Sequence, residues 1–146
     1  MYFVDRSRIE KTLAYMEDVL NELKNVRISS FSEKLGLERI VHVLIESVLD
    51  VGNMMIDGFI MRDPGSYEDI IDILVDEEVI PAEEEADYKS LIQLRKIIVT
   101  HYVDVNHEEL AATMSQIRET LNDFSSHIRT YLNNELGVAN AFSNEE

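Results

Sequence analysis

The chain has 146 residues, 45% of them apolar and 29% charged, with a net charge of −16, the profile of one soluble domain with a real core. That charge opposes general adhesion to nucleic acid or to anionic membranes, so any RNA contact has to be local, or the acidic surface has to meet a basic partner. The absence of Cys removes disulfides and thiolate metal sites and is compatible with a cytoplasmic protein; no apolar run is long enough to span a membrane, and Met1 to Asp5 does not read as a signal peptide.

Two Pro and five Gly leave few interruptions, and the periodicity is helical throughout. The first helix is expected from about Asp5 to Lys24, capped by Asp5. Its stripe is Ile9, Leu13, Met16, Leu20 and Leu23, the four-and-three spacing of a bundle seam. Ser30 to Glu33 has the form of a capping box. The second helix is expected to reach about Met61, with Leu37, Val41, Leu44, Val48, Val51, Met55 and Phe59 on one face and Ile40, Val43 and Ser47 beside them. So wide an apolar arc places this helix at the centre or against another subunit. Gly52 permits a close helix crossing or a kink. Asp50 and Asn53, one turn apart, form a solvated edge or partners for a cation.

Arg62-Asp63-Pro64-Gly65 reads as a turn, and Ser66 to Asp69 as a second capping box. The short helix after it, to about Glu78, is expected to bury Tyr67, Ile70, Ile71 and Leu74. Pro81 suits a first helical position, and Glu83, Glu84 and Glu85 form an acidic first turn that complements the helix dipole. The fourth helix is expected to end near Tyr102. Asn106 caps a last helix striped by Leu110, Met114, Ile117, Leu121, Phe124, Ile128, Tyr131 and Leu132. Gly137 reads as its stop and 138–146 as a flexible tail. The fold class is all-α: an up-and-down four-helix bundle over 1–137 with one additional short helix.

The fourth helix breaks the amphipathic rule. Leu91, Arg95, Ile98 and Tyr102 share one helical face, which sets Arg95 inside an apolar stripe. Such a cation pairs with a carboxylate of a neighbouring helix, extends to water, or faces a site. The other chemistry is sparse. No Gly-rich phosphate loop and no nucleophile elbow is present, and the four His do not form bundle-type metal pairs with carboxylates. His42 has Glu46 at i+4 and reads as a structural pair. Arg with His at a helix end can support metal-free RNA cleavage, because Arg grips a phosphate and His transfers protons near neutral pH.

Arg95, His101 and Tyr102 resemble the R-x4-H-x-Y signature of HepT-type proteins of the HEPN superfamily. Leu44 to Asn53 and Met55 to Tyr67 resemble its YutE-like group, and the similarity runs from the first residues to Gly137. The resemblance implies a homodimeric helical bundle, an RNase toxin of a type VII toxin–antitoxin pair, with Arg and His in a cleft at the dimer interface and no cofactor or metal. It implies a partner, MntA, a nucleotidyltransferase antitoxin that adds AMP to the motif Tyr. By residue, Arg95 binds the scissile phosphate, His101 acts as base or acid, Tyr102 orients the phosphate and receives AMP, and Asp50 and Asn53 order Arg95. Strict register puts Thr100 at the His position, with His101 one place later, a spacing that fits the broader HEPN pattern; Thr cannot do acid–base work near neutral pH. The alternative is a catalytically degenerate dimer that binds a nucleotide or partner. A purely structural scaffold would bury Arg95 against a carboxylate with no open cleft.

Overall fold

The computed structural model describes residues 4–144, and in these all regular structure is helical. Five α-helices run Arg6–Glu22 (α1), Phe31–Gly58 (α2), Tyr67–Asp76 (α3), Glu85–Val99 (α4) and His107–Asn144 (α5). Around the bundle α1 packs on α2, α2 on α4, α4 on α5, and α5 back on α1, while α3 lies against α2 and α4. This is the expected four-helix bundle with one added short helix.

The helix starts follow their capping residues. The Asp5 carboxylate accepts the Arg8 N–H at 3.0 Å, and Asn106 accepts from Glu109 at 3.1 Å. Ser30 and Glu33 form the full reciprocal box. At α3 the box is only half made. Ser66 accepts from Asp69, but the Asp69 carboxylate takes the Gly65 N–H at 2.8 Å, one residue earlier than a box requires. Pro81 precedes a short 3-10 turn, Ala82–Glu84, and α4 proper begins at Glu85.

The helix ends depart from expectation, because a terminus is set by what the chain does next. α2 stops at Gly58, not near Met61, as Ile60 adopts φ 56°. α3 stops at Asp76, shortly before Glu78 at φ 59°. α4 stops at Val99, short of Tyr102: the Thr100 and His101 N–H groups both donate to the Lys96 carbonyl, at 2.9 and 3.1 Å. That shared acceptor closes the helix after the β-branched run Ile97-Ile98-Val99, whose residues are weak helix formers. Tyr102–Asp104 then forms a 3-10 turn. Gly137 does not stop α5, which continues to Asn144. Glycine permits the left-handed terminating conformation without enforcing it, and no described glycine has positive φ. The expected tail therefore continues α5 over 138–144, and 145–146 lie outside the described residues.

α2 is the central element. It buries residues on most of its circumference, from Leu37, Val41 and Leu44 to Ile45, Val48, Leu49 and Met55. Gly52 marks its crossing with α3: a Cβ there would stand 2.6 Å from Ile70 Cγ2. Gly36, near the start of the same helix, has open space where its Cβ would be. Gly52→Ala therefore loses about 1–3 kcal/mol through overpacking. Gly36→Ala gains about 0.5–1 kcal/mol by removing helix-interior glycine entropy. Equilibrium urea unfolding of the two variants reads this opposite pair of shifts.

Candidate functional site

The α3 entry turn sets up the site. Arg62 donates to both oxygens of Asp69, at 2.8 and 2.9 Å, while the same carboxylate holds the Gly65 N–H. This clasp fixes the turn that delivers Tyr67. Tyr67 was expected in the core, yet it is the first residue of α3 and half exposed. Its ring carries the Arg95 guanidinium 4.7 Å from its centroid, within cation–π range.

Arg95 leaves the α4 stripe to meet α2. Its Nε donates to Glu46 Oε1 at 2.9 Å, and that contact raises the guanidinium pKa above its ordinary value. Among the described residues no hydrogen bond or ion pair engages its two terminal nitrogens. The expected partners Asp50 and Asn53 are not the ones used. Glu46 lies one turn before Asp50 on α2, and only the packing of α2 against α4 selects it. Asp50 instead faces α1, where burial, and then the charge of Glu46, push its carboxyl pKa up against the opposing pull of Arg8. The same Glu46 Oε1 lies 3.7 Å from His42 Nε2.

Two grooves are linked by the Glu46–Arg95 contact, Glu46 lining one and Arg95 the other. One, about 750 Å³, lies between α1 and α2 and is lined by Arg8, Lys11, Tyr15 and Arg39 together with Glu46 and Asp50. The other, about 530 Å³, is lined by Tyr67, Glu68, Arg95, Lys96 and Thr100. Cations outnumber carboxylates in each, although the whole chain carries −16. Such a surface attracts a phosphate chain locally while the rest of the molecule repels one.

The motif residues divide. Arg95 and Thr100 share the second groove. His101 and Tyr102 stand past the end of α4, both exposed, with Tyr102 at 67%; neither lines that groove. His107 pairs with Glu38 at 2.8 Å and His127 with Glu84 at 3.1 Å. Glu84 also accepts from the buried Tyr88 hydroxyl at 3.0 Å, so part of the acidic turn is structural. No group of three or more metal-ligating side chains occurs among the described residues. Sequence spacing missed the roles of Glu46 and Tyr67, because both act across helix pairs.

The family model described as ribonuclease HepT-like matches residues 9–128. The chain belongs to the ribonuclease HepT-like family. A Bacillus subtilis protein called "Putative RNase YutE" is 51% identical over 144 residues, covering 97% of this chain and 99% of the relative. A solved structure of YutE, described as a cytosolic protein of unknown function from Bacillus subtilis, superposes with TM-score 0.91 at 50% identity, covering 94% of this chain and 96% of that one. A chain from a toxin–antitoxin crystal structure with AMP-PNP shares the fold, with TM-score 0.68 at 17% identity over 83% of this chain and 95% of that one. The HepT-like assignment thus covers the bundle, both grooves' walls on α2 and α4, and the Arg95 segment.

The clasp also makes a pH prediction. The Arg62 hydrogen bond, with the Gly65 N–H next, lowers the Asp69 pKa to about 2. A carboxyl with a folded pKa below its unfolded value stabilises the fold above the unfolded pKa, and that contribution fades as pH falls toward the folded one. Arg62→Ala raises the Asp69 pKa toward 3.8 and shrinks the acid-dependent loss below about pH 4. NMR titration of the Asp69 carboxyl carbon in the two proteins measures it.

Proposed function

We infer that this chain is a metal-independent ribonuclease toxin of the HepT type, working as a homodimer with its cleft formed where two copies meet. One observation supports it above the rest. Arg95 is held by its Nε and by the Tyr67 ring, with its terminal nitrogens open to a cation-rich groove in an acidic protein. A guanidinium fixed at one corner and free at its fork suits bidentate phosphate binding. In this reading Arg95 grips the scissile phosphate and neutralises the charge that develops on it. The ribose 2′-hydroxyl attacks its own phosphate, leaving a 2′,3′-cyclic phosphate and a 5′-hydroxyl. His101 is the motif imidazole, and Thr100 adds a hydroxyl beside the phosphate. Tyr102, exposed past the helix end, is accessible as the AMP acceptor for a nucleotidyltransferase antitoxin of the MntA kind, which acts where the toxin is made, in the cytoplasm. The bundle over 1–137 is the working domain.

The placement of Thr100 in the groove, with His101 outside it, favours a second reading: a HepT-like dimer that has lost cleavage and binds a nucleotide or partner through Arg95.

Purified protein with a single-stranded RNA separates them. Wild type cleaves in the presence of EDTA and leaves cyclic-phosphate ends, and Arg95→Ala is slower by about 10²–10³-fold. Wild type that leaves every RNA intact while Arg95→Ala still weakens nucleotide binding supports the second reading. Incubation with a cognate nucleotidyltransferase and ATP adds one AMP to Tyr102 by mass spectrometry, and Tyr102→Phe takes none. Modification at another residue ends that assignment.

A further inference from the structure

Arg8, Lys11 and Tyr15 follow one another on α1 at spacings of three and four, so they share one helical face. Arg39 joins them from α2, and the four line the groove of about 750 Å³ between these helices. No motif residue lines it. We propose that this groove is a docking track for single-stranded RNA, holding the flank of a substrate whose scissile phosphate sits on Arg95. The choice of RNA rests on the ribonuclease reading above; the track itself makes and breaks no bond.

Charge is the first observation. Carboxylates outnumber cations 29 to 13 in this chain, so an exposed Arg or Lys has many acids to pair with. Arg62, Lys89 and Arg129 each do so. Arg8, Lys11 and Arg39 are all exposed, and among the described residues no ion pair engages any of them. A purely structural duty leaves that unexplained. Unpaired cations gathered on one groove attract a phosphate backbone there, while the acidic surface repels it elsewhere. The two carboxylates of the groove oppose this only in part. Glu46 is engaged by Arg95 at 2.9 Å. Burial, and then the charge of Glu46, disfavour the ionised form of Asp50 against the pull of Arg8.

The second observation is the Tyr15 ring, 56% exposed on the same groove. A site for a small inorganic anion needs only charge. Sites for single strands combine cations along the backbone with an aromatic face on which a base stacks. The volume agrees, since it falls in the range of about 300–1,000 Å³ that organic ligands fill.

The third is continuity. Glu46 lines the groove, and its Oε1 accepts the Arg95 Nε–H, which keeps the track and the phosphate grip within reach of one strand. A two-fold cleft accommodates this. Each copy brings its own Arg95 and its own track, and the track lengthens the bound strand without adding a reacting group.

The test measures RNA binding by anisotropy in the Arg95→Ala background, so that the strand stays whole, with and without Arg8→Ala, Lys11→Ala and Arg39→Ala together. The slope of log affinity against log salt is expected to fall by about 2 in the triple variant, since each phosphate contact on a single strand contributes about 0.7. Arg8→Lys with Arg39→Lys keeps the slope. Tyr15→Ala weakens binding about 5–100-fold and leaves the slope in place. With Arg95 intact, wild type prefers a long RNA to a dinucleotide in kcat/KM, and the triple variant loses that preference through KM. Thermal melts and size-exclusion chromatography run in parallel. A triple variant with the original slope overturns the track, and the ribonuclease reading stands if wild type still cuts. A triple variant that melts like wild type but self-associates less assigns the groove to contact between copies and overturns the track too. Binding with the expected slopes by a wild type that cuts no RNA removes the ribonuclease reading and keeps the track. Absence of RNA binding by wild type removes both.

Discussion

Glu46 accepts the Arg95 Nε–H across the contact between α2 and α4, and the candidate site is arranged around that bond. The pair contributes little to stability. Its partners are 29% and 38% exposed, a setting in which ion pairs are worth about 0.2–1 kcal/mol. What it supplies is direction. A long, flexible cation is held by one nitrogen, the Tyr67 ring supports its face, and among the described residues no hydrogen bond or ion pair engages its remaining donors. The purely structural scaffold would have required a buried Arg95 closed off by its partner. The carboxylate partner is present, but Arg95 borders an open groove.

Stability comes instead from α2, which contacts each of the other four helices. Its burial on most sides fixes where its polar residues emerge. His42, Glu46 and Asp50 follow at intervals of one turn; Glu46 and Asp50 line the groove beside α1, and Glu46 also reaches Arg95 of the groove beside α4. The close crossing at Gly52 and Ile70 brings α3 against this helix. The Arg62–Asp69 clasp then turns the start of α3 so that Tyr67 reaches Arg95. Core packing, turn chemistry and the site are thus successive consequences of one central helix.

The charge distribution follows a similar logic. A chain at −16 repels nucleic acid over most of its surface, so cations gathered at two adjoining grooves define where a phosphate chain can rest. On the ribonuclease reading proposed above, this arrangement confines an RNA strand to those grooves. It also leaves an acidic exterior for a basic partner surface.

Much of the fold was legible in the sequence. Helical periodicity marked every long helix, and Asp5, Ser30 and Asn106 marked their starts, because caps and stripes are local properties read within one or two turns. Arg95 was visible as a misplaced cation for the same reason. The ends of α2, α4 and α5 were not legible. Ile60, Thr100 and Gly137 behave as the following chain path demands, and that path is fixed by packing. Nor could spacing choose among Glu46, Asp50 and Asn53 as the Arg95 partner, since all lie within two turns of α2 and the choice depends on the depth and rotation at which α4 crosses it. The sequence by itself determined the helices, their buried faces and the family. Only the tertiary structure decided that His42 and Arg95 share one carboxylate oxygen, because that meeting joins residues on two helices whose relative placement is set by the whole core.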